Sequence, residues 1–229
     1  MPELTFRVGD VSPLRYAAVP TLGVRLRISN ASATEPIHSV SLNCQVRIEP
    51  LGRKYTAEEE ARLLDLFGER ERWARTMKPM LWMQVALNVP GFSGATEAEL
   101  ALPCTLDFDV AATKYFYGLH AGDIQVSILF SGTVFYAGAD GALQVAQIPW
   151  DREARFHLPA AAWQAAVEMH YPNTIWMRLP RETFDRLSQY KMKHSLPMWE
   201  QAIEQLLDRV NLDRASVEQA DARGPEVQP

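Results

Sequence analysis

The chain has 229 residues, 47% hydrophobic and 10% aromatic, which is enough for one large core or a core with an appendage and excludes a disordered protein. Its formal net charge of -5 and pI near 5.6 exclude a general attraction to phosphate backbones, so any nucleic-acid contact must be local. The opening "MPELTFRVGD" lacks the basic start and apolar run of a secretory signal, and no apolar stretch approaches the roughly 20 residues of a spanning helix, so a cytoplasmic protein without membrane insertion is expected.

From Leu4 to about Leu158 the dominant period is two. "LTFRV" (Leu4–Val8), "LGVRLRIS" (Leu22–Ser29), "HSVSLNCQVRIE" (His38–Glu49) and "LWMQVALNV" (Leu81–Val89) alternate apolar and polar residues, as half-buried antiparallel strands do. In the third, Val40, Leu42, Cys44, Val46 and Ile48 share one face, and Ser39, Ser41, Asn43, Gln45 and Arg47 share the other. Further strands are predicted at "EAELALP" (Glu97–Pro103), "TLDFDVAATKYFY" (Thr105–Tyr117), "IQVSILFSGTVFYA" (Ile124–Ala137) and "LQVAQIP" (Leu143–Pro149). Turn chemistry at Pro90–Gly94, His120–Asp123 and Ala137–Gly141 separates several of them. Eight or nine such strands favour an antiparallel β-sandwich of immunoglobulin or fibronectin type over a barrel. Gly132 falls where the period breaks, consistent with a bulge, a crossing between sheets or a ligand approaching bare backbone.

A helical insertion at about residues 55–78 interrupts the strands. Thr56 followed by Glu59 is a capping-box pattern, Glu58, Glu59 and Glu60 suit the positive helix start, and Gly68 is placed to end the helix. Leu63, Leu64 and Phe67 form its apolar stripe, and a second short helix places Trp73 and Met77 four residues apart. The insertion either closes one end of the sandwich or forms an interaction flap. In the second case Arg70, Arg72, Trp73 and Arg75 combine the residue types of interface hot spots and are the candidate partner-binding set.

Candidate chemistry is thin. Five histidines form no ligand pair at helical metal spacing, no nucleophile elbow, P-loop or GxGxxG is present, and neither a metal nor a cofactor is expected. Asp107 and Asp109 share a predicted strand face, where repulsion would raise one pKa, yet a solvated face explains them as well. Tyr115, Phe116 and Tyr117 either pack in the core or line a pocket. Cys44 and Cys104 read as buried free thiols, with a disulfide only if their strands face each other. The expected protein is not an enzyme.

After residue 158 the pattern turns helical. "AAAWQAAVEMHYP" is an amphipathic connector, and "TIWMRLPRETFDRLSQYKMKHSLPMWEQAIEQLL" (Thr174–Leu207) reads as a strand followed by two helices. The expected organisation is α+β: a sandwich over 1–158, a C-terminal appendage over 159–212 ending in the strand-helix-helix run, and a mobile tail over 213–229. That run resembles a ribbon-helix-helix arm. The resemblance implies strand pairing across a homodimer, with Thr174, Trp176 and Arg178 as self-association or DNA-contact residues. Trp176 at a central reader position and "HS" at His194–Ser195 in place of a glycine-containing turn depart from the pattern.

The phrases "YAAVPTLGVRLRISN", "CQVRIEP", "LLDLFGERERWARTMKPMLW", "VPGFSGATE", "FSGTVFY" and "IPWD" resemble a bacterial family of uncharacterised proteins often encoded near high-affinity uptake nickel-iron hydrogenases. The resemblance implies a non-catalytic accessory or scaffold role in assembly or operation of such an enzyme, with a hydrogenase component as the protein partner. A DNA-binding regulator is the alternative, and a small-ligand binder or hydrolase at a sandwich-end pocket is the third reading.

Overall fold

Each predicted strand has to find ladder partners for its backbone, and the pairing decides which faces become core. A computed structural model describes the backbone of residues 2–105, 110–175 and 177–222, and the side chains of these except 110 and 212–222. The strands are β1 (Leu4–Pro13), β2 (Thr21–Asn30), β3 (Ile37–Glu49), β4 (Met80–Phe92), β5 (Ala95–Pro103), β6 (Asp123–Ala137), β7 (Leu143–Gln147) and β8 (Glu153–Pro159). One antiparallel sheet has the order β1-β2-β5, and the other runs β4-β3-β6 with β7 and β8 both along the far edge of β6. This is the expected immunoglobulin-like sandwich. The inward residues of β3, Val40 to Ile48 at every second position, are all buried, and Phe6 of β1 stacks on Phe130 of β6 at 4.2 Å between the two layers.

Edge strand β7–β8 is one strand interrupted. Thr133 pairs with Gln147 and Leu129 with Glu153, so four steps along β6 match six along its partner, and the two extra residues loop out over 148–152. The Ile148 N–H still donates to the Gly132 carbonyl at 2.9 Å, and the Phe130 N–H to the Arg152 carbonyl at 2.9 Å. The sequence signals gave β7 and then stopped at Pro149, leaving β8 without a boundary of its own.

Gly132 has φ +139, and a Cβ there would lie 2.1 Å from the Ser41 carbonyl oxygen. Neighbouring backbone of β3 fills that space, so the close approach belongs to the sheet, and the reading of Gly132 as a ligand approach is corrected.

Helices close one end. The insertion after β3 holds α1 (Ala57–Phe67), a 3-10 turn over Arg70–Arg72, and α2 (Trp73–Thr76). Thr56 caps α1 in both directions of the capping box, and Gly68, at φ +72, ends it. Leu63 and Phe67 are buried while Leu64 stays exposed. Over residues 110–117 the predicted strand is instead a helix, α3 (Val110–Gly118), and α4 (Ala160–His170) follows β8. The reason is spacing: Ala112, Tyr115, Phe116 and Leu119 are all buried, an i, i+3, i+4, i+7 stripe that outweighs β propensity. Asp107 and Asp109 lie outside the described residues.

The chain divides into two compact units, Met1–Ile175 and Trp176–Pro229. The boundary therefore falls after 175 instead of 158, because Trp163 of α4 is buried in a stack on Phe116 at 4.9 Å and His170 Nε2 lies 2.9 Å from the Ala17 carbonyl. The expected strand at Thr174–Leu179 does not form: residues 174, 175 and 177–179 belong to no strand, and the Thr174 hydroxyl donates to the Tyr171 carbonyl at 3.0 Å. A strand needs a ladder partner, and the chain offers this segment none among the described residues. Trp176 lies outside the described residues. Two helices follow, α5 (Arg181–Lys193) and α6 (Trp199–Ala222). α6 continues past Asp213, where a tail was expected to begin, and Ser195 takes the left-handed conformation, φ +53, in the turn between them.

Candidate functional site

The insertion is the first place to look, and it does not present its tryptophan. Trp73 is 8% exposed, its Nε1 donates to the Gly68 carbonyl at 2.8 Å, and its ring meets Tyr55 and Phe67 edge-on. Arg70 pairs with Glu60 and lies over the Trp73 ring, whereas Arg72 and Arg75 face solvent. The four residues do not form one exposed hot spot, which corrects the docking-flap reading. Trp73 belongs to an aromatic plug with Phe67, Tyr115, Phe116 and Trp163, so the insertion closes the end of the sandwich.

Beneath the plug sits a buried ion pair. Glu59 is 2% exposed and accepts from the Thr56 N–H at 3.0 Å, the His120 N–H at 3.1 Å and Arg53 Nη2 at 2.6 Å. Burial pushes this carboxyl up, but the two backbone donors and the guanidinium together outweigh it and hold it below the usual carboxylate range. Arg53 also donates to the Asp123 and Ala121 carbonyls. A shallow pocket of ≈ 460 Å³ opens beside Arg53, Lys54, Glu59 and His120. Arg53 and Glu59 neutralise each other and tie the β3–α1 loop to the α3–β6 loop, and the part-exposed His120 imidazole lies 3.0 Å from Glu58 at the pocket's side. Among the described residues no three His, Cys, Asp or Glu gather as a metal-holding group, and no helix is long and apolar enough to cross a membrane.

The two outer sheet faces differ sharply. On the three-stranded sheet, Arg7 pairs with Arg27 and Arg27 with Glu97, and Arg25 faces Glu99, so charges fill the centre of the face. On the five-stranded sheet the cross-strand rows read Pro90, Ser39, Phe135, Val145; then Asn88, Ser41, Thr133, Gln147; then Ala86, Asn43, Ser131. None of these eleven positions is charged. The next row, Gln84, Gln45, Leu129, meets its first charge at Glu153. The interrupted edge strand places Trp150, 88% exposed, in the residues looped out along the edge of this sheet. Soluble surfaces carry charges at about a quarter to a third of positions, so an uncharged patch four strands wide is a departure in composition. The alternation predicted this face as the wet one; the absence of charge across all four strands becomes visible only through the register.

In the second unit, Met177, Leu179, Phe184, Leu187, Trp199 and Ile203, with Arg181 as the one charged side chain, line a groove of ≈ 490 Å³. Thr174 and Arg178 are exposed at its approach in sequence, outside any strand.

Comparison with known proteins adds a family and no activity. No curated protein matches the chain. Among solved structures, a β-glucosidase from Kluyveromyces marxianus is similar at 11% identity and a TM-score of 0.27 over 68% of this chain, which spans 15% of that enzyme. The CARDB domain of a Pyrococcus furiosus protein, solved with di-metal ions, is similar at 7% identity and a TM-score of 0.27, over 69% of this chain and 91% of that one. An ApaA protein from Bordetella pertussis is similar at 14% identity and a TM-score of 0.23, over 69% and 93%. These likenesses are too weak to carry an argument. The sequence model of the family of unknown function DUF6084 matches residues 1–215, and the chain belongs to that family.

Proposed function

We propose that the protein is a non-catalytic accessory protein that binds another protein on the uncharged outer face of its five-stranded sheet. The observation that carries this reading is the four-strand neutral patch, with exposed Trp150 looped out at the edge of the same sheet, set against a charge-laddered face on the opposite sheet of the sandwich. Interface cores are depleted in charge and enriched in aromatic anchors, and a looped-out strand residue is a recurrent way to aim such an anchor. A neutral face offers nothing to pair a buried charge, so the partner's matching surface is low in charge as well. The resemblance to proteins encoded beside uptake nickel-iron hydrogenases makes a hydrogenase component the first partner to try. The test is binding of that component to the full chain and to Trp150→Ala and Ser41→Arg variants. Loss of binding with unchanged melting supports the surface; equal binding by all three chains removes it.

A ribbon-helix-helix regulator keeps one favourable observation: Ser195 adopts the left-handed conformation that a glycine commonly supplies in such turns. Against it stand a missing ribbon among the described residues and an acidic second helix. A salt titration of DNA affinity decides, because absence of binding at low ionic strength ends that reading.

A further inference from the structure

Independently of the sheet face, the described side chains of the second unit form no core of their own. Among its described side chains only Ala202 is a buried hydrophobic residue, while Met177, Phe184, Met192, Leu206, Leu207 and Val210 are all exposed by 36% or more. α5 and α6 touch through Phe184 and Trp199, whose rings lie 5.1 Å apart, and through the Tyr190 hydroxyl, which donates to Gln205 at 2.9 Å. Beyond that contact, Ile203, Leu206, Leu207 and Val210 continue as an i, i+3, i+4, i+7 stripe along α6, and among the described residues of this unit no second helix is laid over Leu206, Leu207 and Val210. At 1.5 Å per residue α5 spans about 20 Å and α6 about 36 Å, so α5 is too short to cover its neighbour.

The charges identify what fits. α5 carries Arg181, Arg186, Lys191 and Lys193 against Glu182 and Asp185, four basic residues to two acidic. α6 carries Glu200, Glu204, Asp208, Asp213, Glu218 and Asp221 against Arg209 and Arg214, six acidic to two basic. One apolar unit with a basic helix and an acidic helix is complementary to itself under a twofold rotation, which sets each α5 against the other copy's α6 and satisfies both signs twice. We propose that residues 176–222 are a self-association module whose occupant is a second copy of this chain. The apolar groove of one copy receives the α6 stripe of the other.

The experiment is sedimentation equilibrium of the full chain across the micromolar range, with three variants at exposed positions. Leu206→Asp combined with Val210→Asp is expected to weaken the dimer by about 30-fold or more, the scale of losing a hot spot, while the melting of the sandwich unit is unchanged. Arg186→Glu with Lys193→Glu, and separately Glu204→Lys with Asp208→Lys, should each dissociate alone and form a mixed dimer when combined, because mixing restores both helix pairings. A wild-type chain that stays monomeric overturns the proposal, whether its groove is empty or filled by its own sandwich unit or by a different protein. A dimer that survives the Asp substitutions, or charge variants that fail to pair on mixing, also overturns it. Loss of self-association with retained partner binding separates this module from the sheet face.

Discussion

Glu59→Gln probes the buried ion pair with the smallest change in shape. The carboxylate accepts three hydrogen bonds through two oxygens, whereas an amide offers one acceptor and turns two donors toward groups that are themselves donors. Arg53, whose side chain is 8% exposed, then keeps its charge in a site that no longer neutralises it. Removing one member of such a pair costs about 3–5 kcal/mol, which for a chain of this size corresponds to a fall in Tm of roughly 6–20 °C. Denaturant unfolding followed by the fluorescence of the buried Trp73, Trp82 and Trp163 measures it. The pH dependence supplies an independent check. Because the folded pKa of Glu59 is lowered, its contribution is fully present above the unfolded value near 4.3 and is lost as pH falls through the folded value. Wild type should therefore lose stability on acidification below about pH 4 more steeply than Glu59→Gln. A loss under about 1 kcal/mol, or identical acid profiles, refutes the assignment of the pair as a buried fastener.

Gly132→Ala should destabilise by at least about 1–3 kcal/mol from backbone strain alone, with the clash against the Ser41 carbonyl adding to it; an unchanged midpoint contradicts the close approach. Trp73→Ala should cost about 3–5 kcal/mol through the cavity it leaves, and the folded fraction should still bind partner, the opposite of what an exposed docking tryptophan would give. Burial pushes the Cys44 and Cys104 thiols up to about 12, so a thiol reagent at neutral pH should label neither in the native state and both on unfolding. Fast labelling of native protein contradicts their burial. Thr56→Ala should cost about 1 kcal/mol by removing one arm of the capping box, read as a shift in the denaturant midpoint.

The sandwich was legible because β3 and its neighbours alternate cleanly, and the first helix because Thr56, Glu59 and Gly68 spell both of its ends. Two failures share a physical cause. At Thr105–Tyr117 the β-favouring Thr, Phe and Tyr suggested a strand, but the side chains that α1 and α4 required at one end recur at helical spacing, and tertiary burial overrode propensity. At Thr174–Leu179 the alternation is present, but a strand is a property of two segments, and the described residues supply no second one. Of the two readings of the insertion, the sequence cannot choose for a related reason: arginine neighbours in sequence say nothing about whether the Trp73 indole turns into an aromatic plug. The neutral face was half visible, since β3 alone shows Ser39, Ser41, Asn43 and Gln45 on one side. That Asn88, Ser131, Thr133 and Gln147 extend it, and that Trp150 is looped out at the edge of the same sheet, follow from strand order and register, which no local pattern encodes.

The most direct test of the account is quantitative partner capture from the native host with the full chain and with its Trp150→Ala, Ser41→Arg double variant, after equal Tm values have been established for the two. The account predicts that a specific protein, a hydrogenase component first among the candidates, is retained by the wild type and depleted by about 30-fold or more with the variant. Equal recovery of that protein with both chains would contradict it.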